Sequence, residues 1–229
     1  MHKLTHTNPV VYALLAATLS VSLLLSGFLL AEPVVSHAIT DGFTVSQTIT
    51  GELSFLVAAN DVNMDDDTTI AGITGGESLG TSTVTVRTNN PTGYTLSMNF
   101  ASETAMIHQS ATGSIANYTP VGPAENWVIA ASAAEFGYSV IAPAAADVGV
   151  IFEDDSGTCG SGGGLNTFDE CWYGTANATD VVELIDSSSP TNSATTTIRF
   201  KVEVAANPSP AVSTGVYTAT ATLTLLDNA

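Results

Sequence analysis

Between residues 196 and 226 apolar and polar side chains change places at almost every step. Ile198, Phe200, Val202 and Val204 alternate with Arg199, Lys201 and Glu203. After the proline-containing loop 207–210, Tyr217, Ala219, Ala221, Leu223 and Leu225 alternate with Thr218, Thr220, Thr222 and Thr224. A period of two places the two sets on opposite faces of an extended strand, whereas a helix would scatter them around its surface. One dry face and one wet face describe an antiparallel sheet packed on one side.

The same period recurs near the other end. Phe43, Val45, Gln47 and Ile49 face one way, and Thr44, Ser46, Thr48 and Thr50 the other. Shorter apolar runs at 53–57, 127–130, 136–142, 148–152 and 181–185 read as further strands. Residues 83–88 and 94–100, joined by Asn89-Asn90-Pro91-Thr92-Gly93, read as a β-hairpin. Helix formers such as Lys, Arg and Gln are scarce, while 29 of the residues 39–229 are threonine, which packs and hydrogen-bonds well on a pleated surface. The expected fold is all-β, an antiparallel immunoglobulin-like β-sandwich of about nine strands, preceded by an N-terminal apolar helix.

That helix is residues 10–31, with Lys3 before it and the small-x-small sequence Ser36-His37-Ala38 after it. This is the layout of a signal peptide. It divides the chain into 1–38 and a single domain, 39–229. The apolar run is also long enough to span a bilayer, so an uncleaved signal would act as an anchor. Export implies an oxidising compartment, where Cys159 and Cys171, twelve residues apart, close the glycine-rich loop 159–171 as a disulfide.

The net charge is −18. A polyanion would be repelled, so nucleic acid is excluded as a partner. At 11% charged and 45% hydrophobic residues the chain is not a disordered polyelectrolyte. Divalent cations suit an acidic exported protein, and Asp61, Asn63, Asp65 and Asp67 offer oxygens at alternate positions, as calcium loops do. Asp66 stands where an EF-hand needs glycine and Gly72 where it needs glutamate, so the choice is between a looser calcium site and a solvated loop. Otherwise no cofactor is expected.

Catalytic signatures are thin. Asp155-Ser156-Gly157-Thr158 occurs once, whereas aspartic proteases need two such carboxylates. His108 is the one histidine outside the signal, and no Gly-x-Ser-x-Gly elbow accompanies a Ser–His–acid set. Trp127, Trp172 and Tyr173 are the residues suited to a sugar-stacking surface, but Trp172 and Tyr173 directly follow the disulfide, and burial against it is the favoured reading. Asn117-Tyr118-Thr119 and Asn177-Ala178-Thr179 fit the N-glycosylation pattern.

The stretch Thr88-Asn89-Asn90-Pro91-Thr92-Gly93-Tyr94-Thr95-Leu96 resembles exported β-sandwich proteins known from genomes of small candidate-phylum bacteria, which have no assigned activity. Phe136-Gly137-Tyr138-Ser139-Val140, Cys171-Trp172-Tyr173 and Thr214-Gly215-Val216-Tyr217 share the likeness. More loosely, the last strand is similar to those closing pilin-like and spore-coat-like subunits. The resemblance implies a secreted or surface-attached sandwich and supplies no catalytic residues. The expectation is thus a non-enzymatic structural or adhesive protein of the bacterial cell envelope, possible as a filament subunit through addition of 39–50 to a neighbour's open sheet edge. A calcium- or carbohydrate-binding module with a cell-surface or glycan ligand is the alternative.

Overall fold

The computed structural model describes residues 9–30, 41–64, 70–110, 112–120, 126–155, 158–160, 164–174, 177 and 179–229. The chain divides into two units, Met1–Thr48 and Ile49–Ala229.

In the first unit, α1 (Pro9–Leu30) contains no charged residue. At 1.5 Å per residue its 22 residues span about 33 Å, enough for a bilayer's hydrocarbon core. Its serine and threonine hydroxyls bond back along the helix. Thr18 Oγ1 donates to the Leu14 carbonyl at 3.0 Å, Ser22 Oγ to Leu19 at 2.9 Å and Ser26 Oγ to Leu23 at 3.0 Å. A helix that is apolar on every side, with its serine and threonine hydroxyls satisfied internally, suits lipid. Residues 41–48 follow, in neither helix nor strand.

The second unit holds ten strands among the described residues: β1 (Leu53–Val57), β2 (Gly76–Thr88), β3 (Tyr94–Phe100), β4 (Met106–His108), β5 (Ser114–Asn117), β6 (Ala134–Ile141), β7 (Val182–Ser187), β8 (Thr191–Val204), β9 (Tyr217–Ala219) and β10 (Ala221–Asp227). A seven-stranded sheet runs β1-β2-β8-β6-β5-β4-β9 and curls as half a barrel, and a three-stranded sheet runs β10-β3-β7. All pairings are antiparallel except β5 with β6. The core lies between the sheets. Val84, Val86, Leu96 and Ile185 are buried there, and the Phe100 ring meets Phe136 and Tyr138 edge-on at 5.7 Å. The expected face of β8 holds: Ile198, Val202 and Val204 are buried within the core.

Several sequence expectations are corrected. Residues 83–88 and 94–100 do not pair as a hairpin. β2 bonds to β1 and β8, and β3 bonds to β10 and β7, so the turn 89–93 passes the chain from one sheet to the other. Val86 and Leu96 then meet across the core rather than side by side. Gly93 permits the turn with φ at +84°. Its amide donates to the Asn90 carbonyl at 3.0 Å. Residues 41–50 form no strand despite their alternation, 127–130 are irregular, and Val150–Phe152 is a 3-10 turn. β4 and β5, at three and four residues, carry too little periodicity to be read from sequence.

Candidate functional site

The residues singled out in the sequence do not converge. Asp61 and Asn63 are exposed, while Val62 and Met64 between them pack against β2 at Gly80. The Asn60 amide donates to Ser82 Oγ at 3.0 Å, and Ser78 Oγ donates to the Met64 carbonyl. This half of the acidic loop therefore closes one end of the core. Asp65 and Asp67 lie outside the described residues. Among the described residues no group of three or more His, Cys, Asp or Glu side chains is placed to hold a metal ion.

His108 lies edge-on to Tyr217 at 4.9 Å. Its Nδ1 accepts from the Ser110 amide at 3.0 Å, which leaves Nε2 as the donor to the Thr214 carbonyl at 3.1 Å. Both ring nitrogens thus tie loops to each other. Asp155 begins a turn, its amide donating to the Thr158 carbonyl at 3.1 Å; Ser156 and Gly157 lie outside the described residues.

Cys159 and Cys171 are joined, with Cα atoms 5.4 Å apart. The bond holds residues 171–173 beside β6, where the amides and carbonyls of Tyr138 and Tyr173 exchange hydrogen bonds of 2.9 and 2.7 Å. Trp172 is thereby buried, only 3% exposed, rather than displayed as a platform, and Tyr173 is half-buried against Tyr138 and Phe152.

Trp172, buried as the favoured sequence reading has it, belongs to an aromatic cover over the outer face of β6 and β8 whose other members, Tyr118 and Phe168, the sequence reading did not single out. Trp127 stacks on Tyr118 at 4.1 Å and meets Trp172 edge-on at 5.4 Å. The cover needs Gly137 beneath it, since a Cβ there would lie 2.8 Å from both Trp127 and Tyr118. Two of the three cations in residues 39–229 are taken up by it. Arg199 is buried, 4.0 Å from the Phe168 ring centroid and 2.9 Å from the Asp169 carboxylate. Lys201 lies 5.5 Å from the Trp127 ring and 2.8 Å from Glu77. With these cations covered, Arg87 is the exposed cation left among residues 39–229, against 21 carboxylates in the same stretch.

Across this face Glu77, Glu203 and Glu135 stand in register on β2, β8 and β6. Each has its own donor: Lys201 for Glu77, Trp127 Nε1 at 2.6 Å for Glu203, and the Thr119 amide at 3.0 Å for Glu135. Burial holds the Glu135 carboxyl above its ordinary value, with the Thr119 amide opposing and the Glu203 charge adding to the rise. A raised folded value favours the fold at pH below the unfolded value, and that contribution is lost as pH climbs through the folded one. Glu135→Gln keeps an acceptor for Thr119 and removes the like charge. Thermal unfolding at pH 7 should show the variant more stable by about 0.5 kcal/mol, with a shallower loss as pH rises above the ordinary glutamate value of about 4.3.

At the opposite edge the Asn89–Gly93 turn meets the chain's end. Asn89 holds the base of the N-terminal arm: its Nδ2 donates to the Thr50 carbonyl at 3.0 Å and its Oδ1 accepts from the Glu52 amide at 2.7 Å. Asn90 Nδ2 donates to the Gly93 and Asn228 carbonyls at 3.0 and 2.9 Å. Asn228 Nδ2 in turn reaches the Ser187 carbonyl at 3.0 Å, clasping β10 to the end of β7.

This clasp fixes β10 as the outer strand of the small sheet, paired to β3 over seven consecutive residues without a bulge. The Asn228 amide donates to the Gly93 carbonyl and Ala101 donates to Thr220, so the even-numbered residues of β10 bond inward to β3. The backbone groups of Ala221, Leu223, Leu225 and Asp227 point away from it. No family model matches the chain, and no curated protein matches it.

Proposed function

We propose that the chain is a non-enzymatic structural or adhesive component of the bacterial cell envelope. It is exported by 1–38 and carries an immunoglobulin-like sandwich outside the cytoplasm. The observation that carries this reading is the employment of the one candidate base: both nitrogens of His108 are engaged with main-chain groups that join loops. A catalytic histidine needs one nitrogen turned toward a nucleophile or substrate. The apolar α1, the joined cysteines and an acidic chain with two of its three cations in residues 39–229 covered fit a protein that works in bulk water beyond the membrane.

The experiment is protease shaving of intact cells, followed by mass spectrometry of the released peptides. Peptides from 49–229 released without lysis support the reading, and an N-terminus at Ile39 would place cleavage after Ala38. Recovery of these peptides only after lysis would overturn it.

A further inference from the structure

We infer that the outer face of β2 and β8 binds a neutral glycan chain, with Phe168 as the stacking platform at one end and threonine hydroxyls beyond it. Such a ligand rests on the proposed adhesive role and makes it specific. Phe168 is 68% exposed, yet the Arg199 guanidinium backs its ring, 4.0 Å from the centroid. Arg199 is itself buried and bound to Asp169 at 2.9 Å, so the ring rests on a fixed group. Asp169 and Cys171, just after Phe168, hold φ at +70° and +52°. Non-glycine residues keep such values where their surroundings hold them, often beside ligands. Here the disulfide holds Cys171. A bare aromatic face that is already ordered lets the C–H face of a sugar ring pack on it at little cost in entropy.

Ser82, Val84 and Val86 of β2 are buried on the core side, so Thr81, Thr83 and Thr85 stand on the outer face. Register sets Thr81 opposite Arg199, Thr83 opposite Thr197 and Thr85 opposite Thr195. The hydroxyl rows therefore start beside the residue that carries Phe168. Thr81, Thr83 and Thr195 are exposed, and the Thr85 and Thr195 hydroxyls bond to each other at 2.9 Å. Such hydroxyls recur about 6.7 Å along a strand and about 4.8 Å across. From Thr81 to Thr85 the row is about 13 Å long, which suits several linked sugars better than one. Each hydroxyl both donates and accepts, as those of a sugar do. Residues 78–86 and 191–198 carry no charge, and the neighbouring Arg199 and Lys201 are paired with Asp169 and Glu77. In a chain of net charge −18 this face admits a neutral ligand and repels an anionic one. It suits a second copy less, since two acidic chains would meet over polar surface.

The test titrates the full chain, in micelles of a detergent without sugar groups, with hexasaccharides of glucose, N-acetylglucosamine and mannose. A hexasaccharide of galacturonic acid is the charged control. Calorimetry should give a Kd of about 1 mM or tighter for at least one neutral hexasaccharide and no binding of the control. Phe168→Ala should weaken that binding about tenfold or more, while Phe168→Tyr, which keeps the ring, should bind as the wild type does. Thr83→Val/Thr197→Val keeps the β-branched shape and leaves Arg199 and Phe168 in place. It should weaken binding about threefold or more with the melting temperature unchanged. Failure of all three neutral hexasaccharides to bind, equal binding of the charged control, or binding that survives both Phe168→Ala and the threonine pair would each overturn the glycan site. So would sedimentation showing two copies joined through this face, with the threonine pair abolishing the dimer. Shaving stands apart: a surface chain that binds none of the sugars overturns the glycan site alone, and a cytoplasmic chain that binds one overturns the envelope role alone.

Discussion

Replacing Gly93 with valine should destabilise the second unit by about 3 kcal/mol or more, enough to unfold a domain of ordinary stability. Two effects combine. Gly93 has φ at +84°, a region that a β-branched residue enters only at a penalty of about 1–2 kcal/mol. Its added Cβ would also lie 1.8 Å from the Ser187 carbonyl oxygen and 2.6 Å from the Ser189 nitrogen. Both obstacles are backbone, so no side-chain rotation relieves them. Relief would require parting β3 from the end of β7, where Asn228 and Asn90 tie the same turn. Denaturant unfolding followed by circular dichroism gives the loss directly. A Gly93→Val chain within 1 kcal/mol of the wild type would mean that this passage between sheets is built differently.

The second large effect is removal of the disulfide. A Cys159→Ala/Cys171→Ala chain should lose about 3 kcal/mol, the loop-closure value for twelve residues of separation. The consequence should be local before it is global. Residues 171–173 are held to β6 by two backbone bonds at Tyr138, and the aromatic cover depends on their staying there. Freed of the disulfide, Trp172 should gain solvent exposure and Arg199 should lose Phe168 and Asp169 together. Tryptophan emission should therefore shift to the red at denaturant concentrations where the far-ultraviolet signal of the sheets is intact. Coincident transitions with unchanged midpoint would show that the loop contributes nothing to the cover.

Much of the fold is legible in the sequence where the signal is local. Alternation in 196–204 places β8 with Ile198, Val202 and Val204 inward, and two cysteines behind a signal-like N-terminal segment place the disulfide. Partners are less legible, because a period of two reports that one face is dry and not which strand covers it. Hence 83–100 reads as a hairpin although its halves face each other across the core. Residues 43–49 likewise read as a paired strand although no strand forms there. The aromatic cover draws on Tyr118, Trp127, Phe168 and Trp172, which share no spacing and meet only because loops fold back over β6 and β8. A cue was present in Gly137: a glycine amid Phe136, Tyr138 and Val140 marks a close approach on the opposite face. Asp61 and Asn63 show the converse case. Their spacing suggested ligands, but the alternating Val62 and Met64 face the core and turn them outward.

The envelope role is most directly tested by immunogold electron microscopy of intact cells, with antibody raised against the folded chain. The account predicts gold on the outside of unpermeabilised cells, along the envelope or along structures extending from it. Gold confined to the cytoplasm, seen only after permeabilisation, would contradict it.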